Sequence, residues 1–165
     1  MIKAGFILLT ILMTAIVLFS INDAAGIAYE DKGRQKAYTL KAALIILCWL
    51  AYIFILSNTG ILNSTALPPR IPLLLVIPAF AFMAYFLNSI RNKDIVAAIP
   101  AGRLVYFQSF RILVELVLWA ACLQGILPRS GTFEGYNFEI VIGASALPIG
   151  YLGYTKKILP KPVLL

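Results

Sequence analysis

The sequence predicts an all-α membrane protein of about five transmembrane helices, with its N-terminus outside and its C-terminus in the cytoplasm. Three observations carry this reading. Hydrophobic residues make up 61% of the 165-residue chain and mean hydropathy is +0.91, against roughly 45–50% apolar content in soluble domains. The apolar residues gather into long stretches, and an apolar core about 30 Å thick needs about 20 residues per helix. Finally, the basic residues alternate between dense and sparse connections, as the positive-inside rule requires. Residues 1–165 therefore read as a single integral membrane domain.

The first span is expected over residues 4–21. A lone Lys3 makes a cleaved signal peptide its competitor, but cleavage would leave Lys32, Arg34 and Lys36 outside. An uncleaved helix is expected. The second span covers 37–56, with Lys41 close enough to the edge for its stem to snorkel to the headgroups. The third covers 71–90, where Pro78 lacks the N–H that would bond Leu74 and frees that carbonyl. A kink is expected there, tolerated if a neighbouring helix satisfies the carbonyl. The fourth covers 104–123. The fifth covers 138–154 and carries Pro148, which frees the carbonyl of Ala144 in the same way.

One set of connections holds Lys32, Arg34, Lys36, Arg91, Lys93, Arg103, Lys156, Lys157 and Lys161; the other holds Lys3, Arg70 and Arg129. Nine against three places the first set in the cytoplasm, and the alternation needs five spans. The formal charge of +7 is thus topological, and no nucleic-acid partner is expected. The chain has no histidine, which excludes His-ligated haem, His-based zinc and imidazole triads. Cys48 and Cys122 lack a C-x-x-C partner and read as small buried apolar residues. No metal or other cofactor is expected. The triplet Asn63-Ser64-Thr65 has the form of a glycosylation sequon on the outer side.

Inside the fourth span lie groups that lipid penalises. At about 100° per residue, Gln108, Arg111, Glu115, Trp119 and Cys122 fall in a stripe about 80° wide that must face inward. Even cheap estimates charge about 2.5–3.5 kcal/mol for Arg at a helix centre. Arg111 and Glu115, at i and i+4, can neutralise each other as structural glue. Alternatively they line a cavity in which Arg111 offers a fork to an anion and Glu115 takes a proton. A closed, dry interface would favour the first reading, a pocket the second. On the fifth span, Glu139, Gly143, Ala146, Gly150 and Gly153 share one arc, so a groove of small residues should receive the polar stripe, with Glu139 near the outer surface. The connection from Gly125 to Asn137 is rich in turn formers and reads as a compact cap or gate.

The elements Leu67-Pro68-Pro69-Arg70-Ile71, Gln108-Ser109-Phe110-Arg111 with Glu115 and Leu118-Trp119, and Thr132-Phe133-Glu134-Gly135 with Asn137-Phe138 resemble an uncharacterised family of small bacterial multi-pass membrane proteins. The resemblance covers roughly residues 65 to 150. It departs at Glu139, where the family has aspartate, and at Gly131, where it has methionine. The family has no assigned activity, so the resemblance implies the membrane architecture and supplies no catalytic residues.

The candidate intramembrane polar site is therefore Gln108, Arg111, Glu115 and Glu139. The leading reading is a non-enzymatic component of the cell (inner) membrane that binds or moves a lipid headgroup or small solute between spans three, four and five. A homo-oligomer would supply a second half to the site. One alternative is a membrane-embedded enzyme using Glu115 or Glu139 for acid/base work with Arg111 as stabiliser. Another is a partner subunit or assembly factor whose polar stripe meets a second membrane protein.

Overall fold

The protein is described by a computed structural model over residues 2–63, 70–89 and 92–158. Among these residues it is helical without strands. The helices are α1 (Ile2–Ala28), α2 (Lys32–Asn58), α3 (Ile77–Asn88, entered through a π turn at Pro72–Val76), α4 (Lys93–Ala98), α5 (Ala101–Phe107), α6 (Phe110–Leu123) and α7 (Glu139–Gly150, continued by a π turn at Tyr151–Thr155). Three stretches are long and apolar enough to cross a membrane: α1 and α2 with 27 residues each, and Ala101–Leu123 with 23. At about 1.5 Å per residue, α1 and α2 are each about 40 Å long and outreach an apolar core. The apolar stretch Pro72–Asn88 is shorter.

Burial is the inverse of a soluble protein's. The fully buried apolar residues are mostly alanines, whereas Phe19, Leu47, Phe54 and Phe80 are each more than 60% exposed. Such surfaces need an apolar solvent. Cys48 belongs to them: it is exposed, and Cys122 is half-buried. The expectation that both are buried fails because α2 presents apolar side chains all round, so its apolar character does not select an inward face.

The chain forms two compact units, residues 1–16 with 99–165 and residues 17–98. In the second, the end of α1 and the start of α2 make a hairpin. Asp31 caps α2 by accepting from the Gly33 and Arg34 amides at 2.9 and 3.3 Å. Across the hairpin, Gln35 Nε2 donates to the Asn22 carbonyl at 3.1 Å, and Thr39 Oγ1 donates to Asn22 Oδ1 at 3.3 Å. The carbonyl that Pro78 deprives of its usual donor has found another. Tyr52 Oη, on α2, donates to the Leu74 carbonyl at 2.9 Å. The backbone deals with the proline by a π turn immediately before it, closed by the Ile77 N–H on the Pro72 carbonyl, and a wider turn eases the clash between a proline ring and the preceding turn.

In the first unit α5, α6 and α7 pack together, joined by the N-terminal part of α1. The 101–123 span is not one smooth helix. At Gln108 and Ser109 the ladder tightens: the amides of Gln108, Ser109, Arg111 and Ile112 each bond three residues back, at 3.0–3.2 Å. Ser109 Oγ donates to the Tyr106 carbonyl at 2.7 Å, a side-chain competitor of the sort that bends helices without proline. Ser64, Thr65, Leu67 to Pro69, Ile90, Arg91 and Lys161 lie outside the described residues.

Tyr52→Phe should leave the Leu74 carbonyl short of a donor and cost about 1–3 kcal/mol, the usual penalty for orphaning a buried acceptor. Thermal unfolding in detergent measures it. In a Pro78→Ala background, which restores an in-helix donor, the same substitution should cost little, and equal losses in both backgrounds would refute the pairing.

Candidate functional site

The groove expected on the fifth span is present. Gly143, Ala146, Gly150 and Gly153 are buried. A Cβ on Gly143 would stand 3.0 Å from the Ile112 backbone nitrogen, and one on Gly150 would stand 2.8 Å from the Tyr106 ring. From the other side, a Cβ on Gly102 would meet Tyr154 at 2.8 Å. Backbones approach this closely only where side chains are missing. These contacts pair Gly143 with Ile112, Gly150 with Tyr106 and Tyr154 with Gly102, so α7 runs antiparallel to α5 and α6. Tyr106 Oη and Thr155 Oγ1, 2.9 Å apart, share a hydrogen bond at the far end of the seam.

That register changes the expected pairing of charges. Arg111 takes Glu139 as its ion-pair partner, Nη1 to Oε2 at 2.5 Å, while its Nε donates to Gln108 Oε1 at 3.0 Å. Glu115, the partner expected from the i, i+4 spacing, is held instead by Asn137, whose Nδ2 donates to Glu115 Oε1. Glu115 has no exposed surface. The Phe133 backbone amide faces its carboxylate, yet Oε2 completes no hydrogen bond. Spacing along one helix allows a pair but does not require it: the arginine side chain instead reaches along α6 to a carboxylate on α7.

The connection between α6 and α7 is part of the site. Continuing the register, Glu139 stands level with about Leu116, so α6 runs on for about 10 Å beyond the point where α7 begins. Glu139 therefore stands alongside the middle of α6, because the connection turns back along that helix. Trp119 Nε1 donates to Glu134 Oε1 at 2.8 Å, and the Trp119 ring lies 6.0 Å from Phe133. Arg129 Nε lies 3.9 Å from Glu134 Oε2 on the open side. Thr132, fully buried, is the hub: its carbonyl accepts from the Gly135 and Asn137 amides at 2.9 and 3.3 Å, and its hydroxyl donates to the Arg129 carbonyl at 3.0 Å. Gly135 admits no side chain, since a Cβ would collide with the Arg129 carbonyl oxygen. The cap is thus an ordered turn, with backbone hydrogen bonds from Gly131, Thr132, Gly135, Tyr136 and Asn137 all ending within it.

All four residues predicted from the sequence lie in this unit. Gln108, Arg111 and Glu139 form one chain of contacts, and Glu115 with Asn137 forms another beside it. Asn137, Thr132 and Glu134 were not among the predicted site residues. Their signal was an acid, an amide and two aromatics in one short connection following the polar helix. The unit also encloses a cavity of about 430 Å³ walled by Leu12, Met13 and Ile16 of α1 with Tyr106, Phe110 and Leu147, and not by Arg111, Glu115 or Glu139. Glu115 thus lies in a closed interface, as the structural reading expects, whereas the side chains of Arg111 and Glu139 are 28% and 48% exposed without lining that cavity. Among the described residues no cluster suits a metal ion.

No family model, curated protein or solved structure matches this chain.

Asn137→Leu should orphan the Glu115 carboxylate and lower folded stability by about 1–3 kcal/mol. Adding Glu115→Met should recover part of that loss, because removing both partners costs less than stranding one. Thermal unfolding of both singles and the double checks this; additive losses would contradict the pairing.

Proposed function

We propose that this protein is a multi-pass component of the cell (inner) membrane that binds an anionic lipid headgroup or small anionic solute at Arg111. The observation that carries the reading is the state of that guanidinium. Gln108 and Glu139 hold Nε and Nη1 and the Phe110 ring lies 5.9 Å from the group, so it is fixed in direction, while Nη2 has no hydrogen-bond or ion-pair partner among the described residues and the side chain stays 28% exposed. A planar fork with one prong committed to structure and the other open is suited to a carboxylate or phosphate oxygen. Glu139 balances the charge of the guanidinium, and the Glu115 carboxylate on the same helix as Arg111 is sealed from solvent. Such a site binds without needing a nucleophile or a metal, which favours a binding protein over an enzyme.

The topology proposed with it has five spans: α1, α2, the stretch from Pro72 to Asn88, α5 with α6, and α7 with its π turn. The N-terminus is outside and the C-terminus cytoplasmic. The nine-to-three distribution of basic residues supports this orientation. The two shorter stretches, each about 25 Å at about 1.5 Å per residue, fall short of a bilayer core about 30 Å thick. For α7 the returning connection makes up the difference, with Tyr136 and Phe138 exposed as interfacial aromatics. A second reading has one observation in its favour: no wall of the 430 Å³ cavity includes the Arg111–Glu139 pair, so a partner protein or second copy could cover it instead.

Labelling tests the topology. With Cys48 and Cys122 replaced by alanine, Arg129→Cys should react with an impermeant thiol reagent in intact cells and Lys93→Cys should not; the reverse pattern would invert the protein. Mass spectrometry tests the site. Purified in mild detergent, the chain should retain an anionic ligand that Arg111→Met loses by about tenfold or more, the scale of one charged hydrogen bond. Retention unchanged in Arg111→Met would end the binding proposal, and loss of a copurifying protein or of a dimer would shift it to the second reading.

A further inference from the structure

The unit formed by residues 17–98 has a second, larger cavity of about 660 Å³, open on one side, within the range of about 300–1,000 Å³ typical of small-molecule sites. Each helix gives it one stripe. Val17 and Ile21 come from α1, Ala42, Ile45 and Ile46 from α2, and Phe82 and Phe86 from α3, with the i, i+3, i+4 spacing of a single helix face. These walls are apolar.

The polar lining residues gather toward one end, Tyr85 beside Phe86 being set among the apolar walls. Tyr29 follows the end of α1, Tyr38 and Lys41 lie near the start of α2, Ser89 follows α3, and Asn92 and Asp94 lie at the start of α4. The α1–α2 hairpin, together with the Tyr38 contact to Asn92 that follows α3, brings those chain positions to one end of the unit. The cavity is therefore apolar along its length and polar at one mouth. That mouth is built: Tyr38 Oη donates to Asn92 Oδ1 at 2.9 Å, Asn92 Nδ2 donates to the Phe86 carbonyl at 3.0 Å, and the Tyr29 and Tyr38 rings lie 6.0 Å apart. Lys41 and Asp94, of opposite charge, both line it and make no ion pair with each other. Snorkelling accounts for a lysine here and the first turn of α4 for an aspartate; together they set opposite charges on the rim of one apolar cavity.

The geometry points to a zwitterionic phospholipid as the occupant, its phosphate at Lys41, its ammonium at Asp94 and an acyl chain between Ile45, Ile46 and Phe82. An amphiphile matches the gradient from apolar walls to polar mouth, and two opposite charges held apart match a headgroup that carries both. An anionic headgroup would leave Asp94 facing its negative charge. This site is separate from Arg111 and does not depend on the reading given for it.

The test is native mass spectrometry of the delipidated chain titrated with dioleoyl phosphatidylethanolamine, phosphatidylcholine and phosphatidylglycerol. Ala42→Phe fills the cavity, so the lipid adducts it removes are those of this site. They should be the ethanolamine and choline lipids, favoured about tenfold over the glycerol lipid. Their ratio reads the ammonium: Asp94 acting as hydrogen-bond acceptor favours ethanolamine, the Tyr29 and Tyr38 rings favour choline. Asp94→Asn should abolish the preference over phosphatidylglycerol, and Lys41→Gln should weaken all adducts of the site. Far-UV circular dichroism confirms that each variant is folded; should one not fold, the other two decide. Adducts untouched by Ala42→Phe, equal retention of the three lipids, or a preference that survives Asp94→Asn would overturn the proposal. Loss of binding in Arg111→Met but not in Ala42→Phe would overturn this site while leaving the Arg111 site standing.

Discussion

Gly143 lies against the Ile112 backbone with no room for a side chain, and the polar chemistry of its unit follows from that approach. Helices in lipid gain little from burying apolar surface against one another, so close backbone packing supplies much of the attraction. It also sets register. With Gly143 at Ile112 and Gly150 under Tyr106, Glu139 is placed within reach of Arg111, and the residues leading into α7 are drawn beside Glu115. A one-turn slip of α7 would move Glu139 by about 5.4 Å, enough to break a contact of 2.5 Å. The seam of small residues and the ion pair thus specify the same alignment, and each makes the other's error costly.

The two carboxylates on this seam have different physical situations. Glu139 stands half-exposed with a guanidinium in front of it, so its charge is matched and its remaining surface is available. Glu115 has no exposed surface and a single side-chain amide as donor. A buried carboxylate with one oxygen lacking a hydrogen bond is costly in a low-dielectric interior. The turn made by Thr132, Gly135 and Asn137 offsets part of that cost and determines where the connection runs. Irregular backbone packed against apolar helices is tolerated only when its own groups are satisfied, and here the Thr132 carbonyl and hydroxyl close the turn. Thr132 is buried for the same reason that Gly135 lacks a side chain: the connection is folded tightly against itself.

Much of this was legible along single helices. The apolar stretches gave the helical architecture, the arc of glycines and alanine on the fifth stretch gave the groove, and the missing N–H of Pro78 named the carbonyl in need of a donor. Each of those rests on a period or on the chemistry of one residue. The partners were not legible in the same way. Tyr52 is one of eight tyrosines, and only the packing of α2 beside α3 selects it for Leu74. Arg111 had Glu115 at i+4 and Glu139 across a connection, and spacing favoured the nearer. The structure favours the farther because an extended arginine reaches past its own turn, and because Asn137, in a connection without any period, already occupies Glu115. Cys48 shows the same limit: where a helix is apolar on every side, its sequence says that it is buried in something, but not whether that is protein or lipid.

The irregularities of the chain fall where polar groups are handled. α1 and α2 run for 27 residues each without interruption, whereas the approach to α3, the α5–α6 junction and the end of α7 contain π turns or a tightened turn. In water such breaks are cheap, because solvent bonds to whatever the ladder releases. In lipid each break needs a protein donor or acceptor. Tyr52 serves the Leu74 carbonyl and Ser109 serves the Tyr106 carbonyl. A helix interruption inside a membrane therefore needs a polar side chain near it, and that side chain needs a neighbour to be polar too. This requirement concentrates hydrogen-bonding groups at a few levels of an otherwise apolar molecule. Arg111 sits one turn from such a break, where its guanidinium can be held by Gln108 at the break itself and by Glu139 on the neighbouring helix.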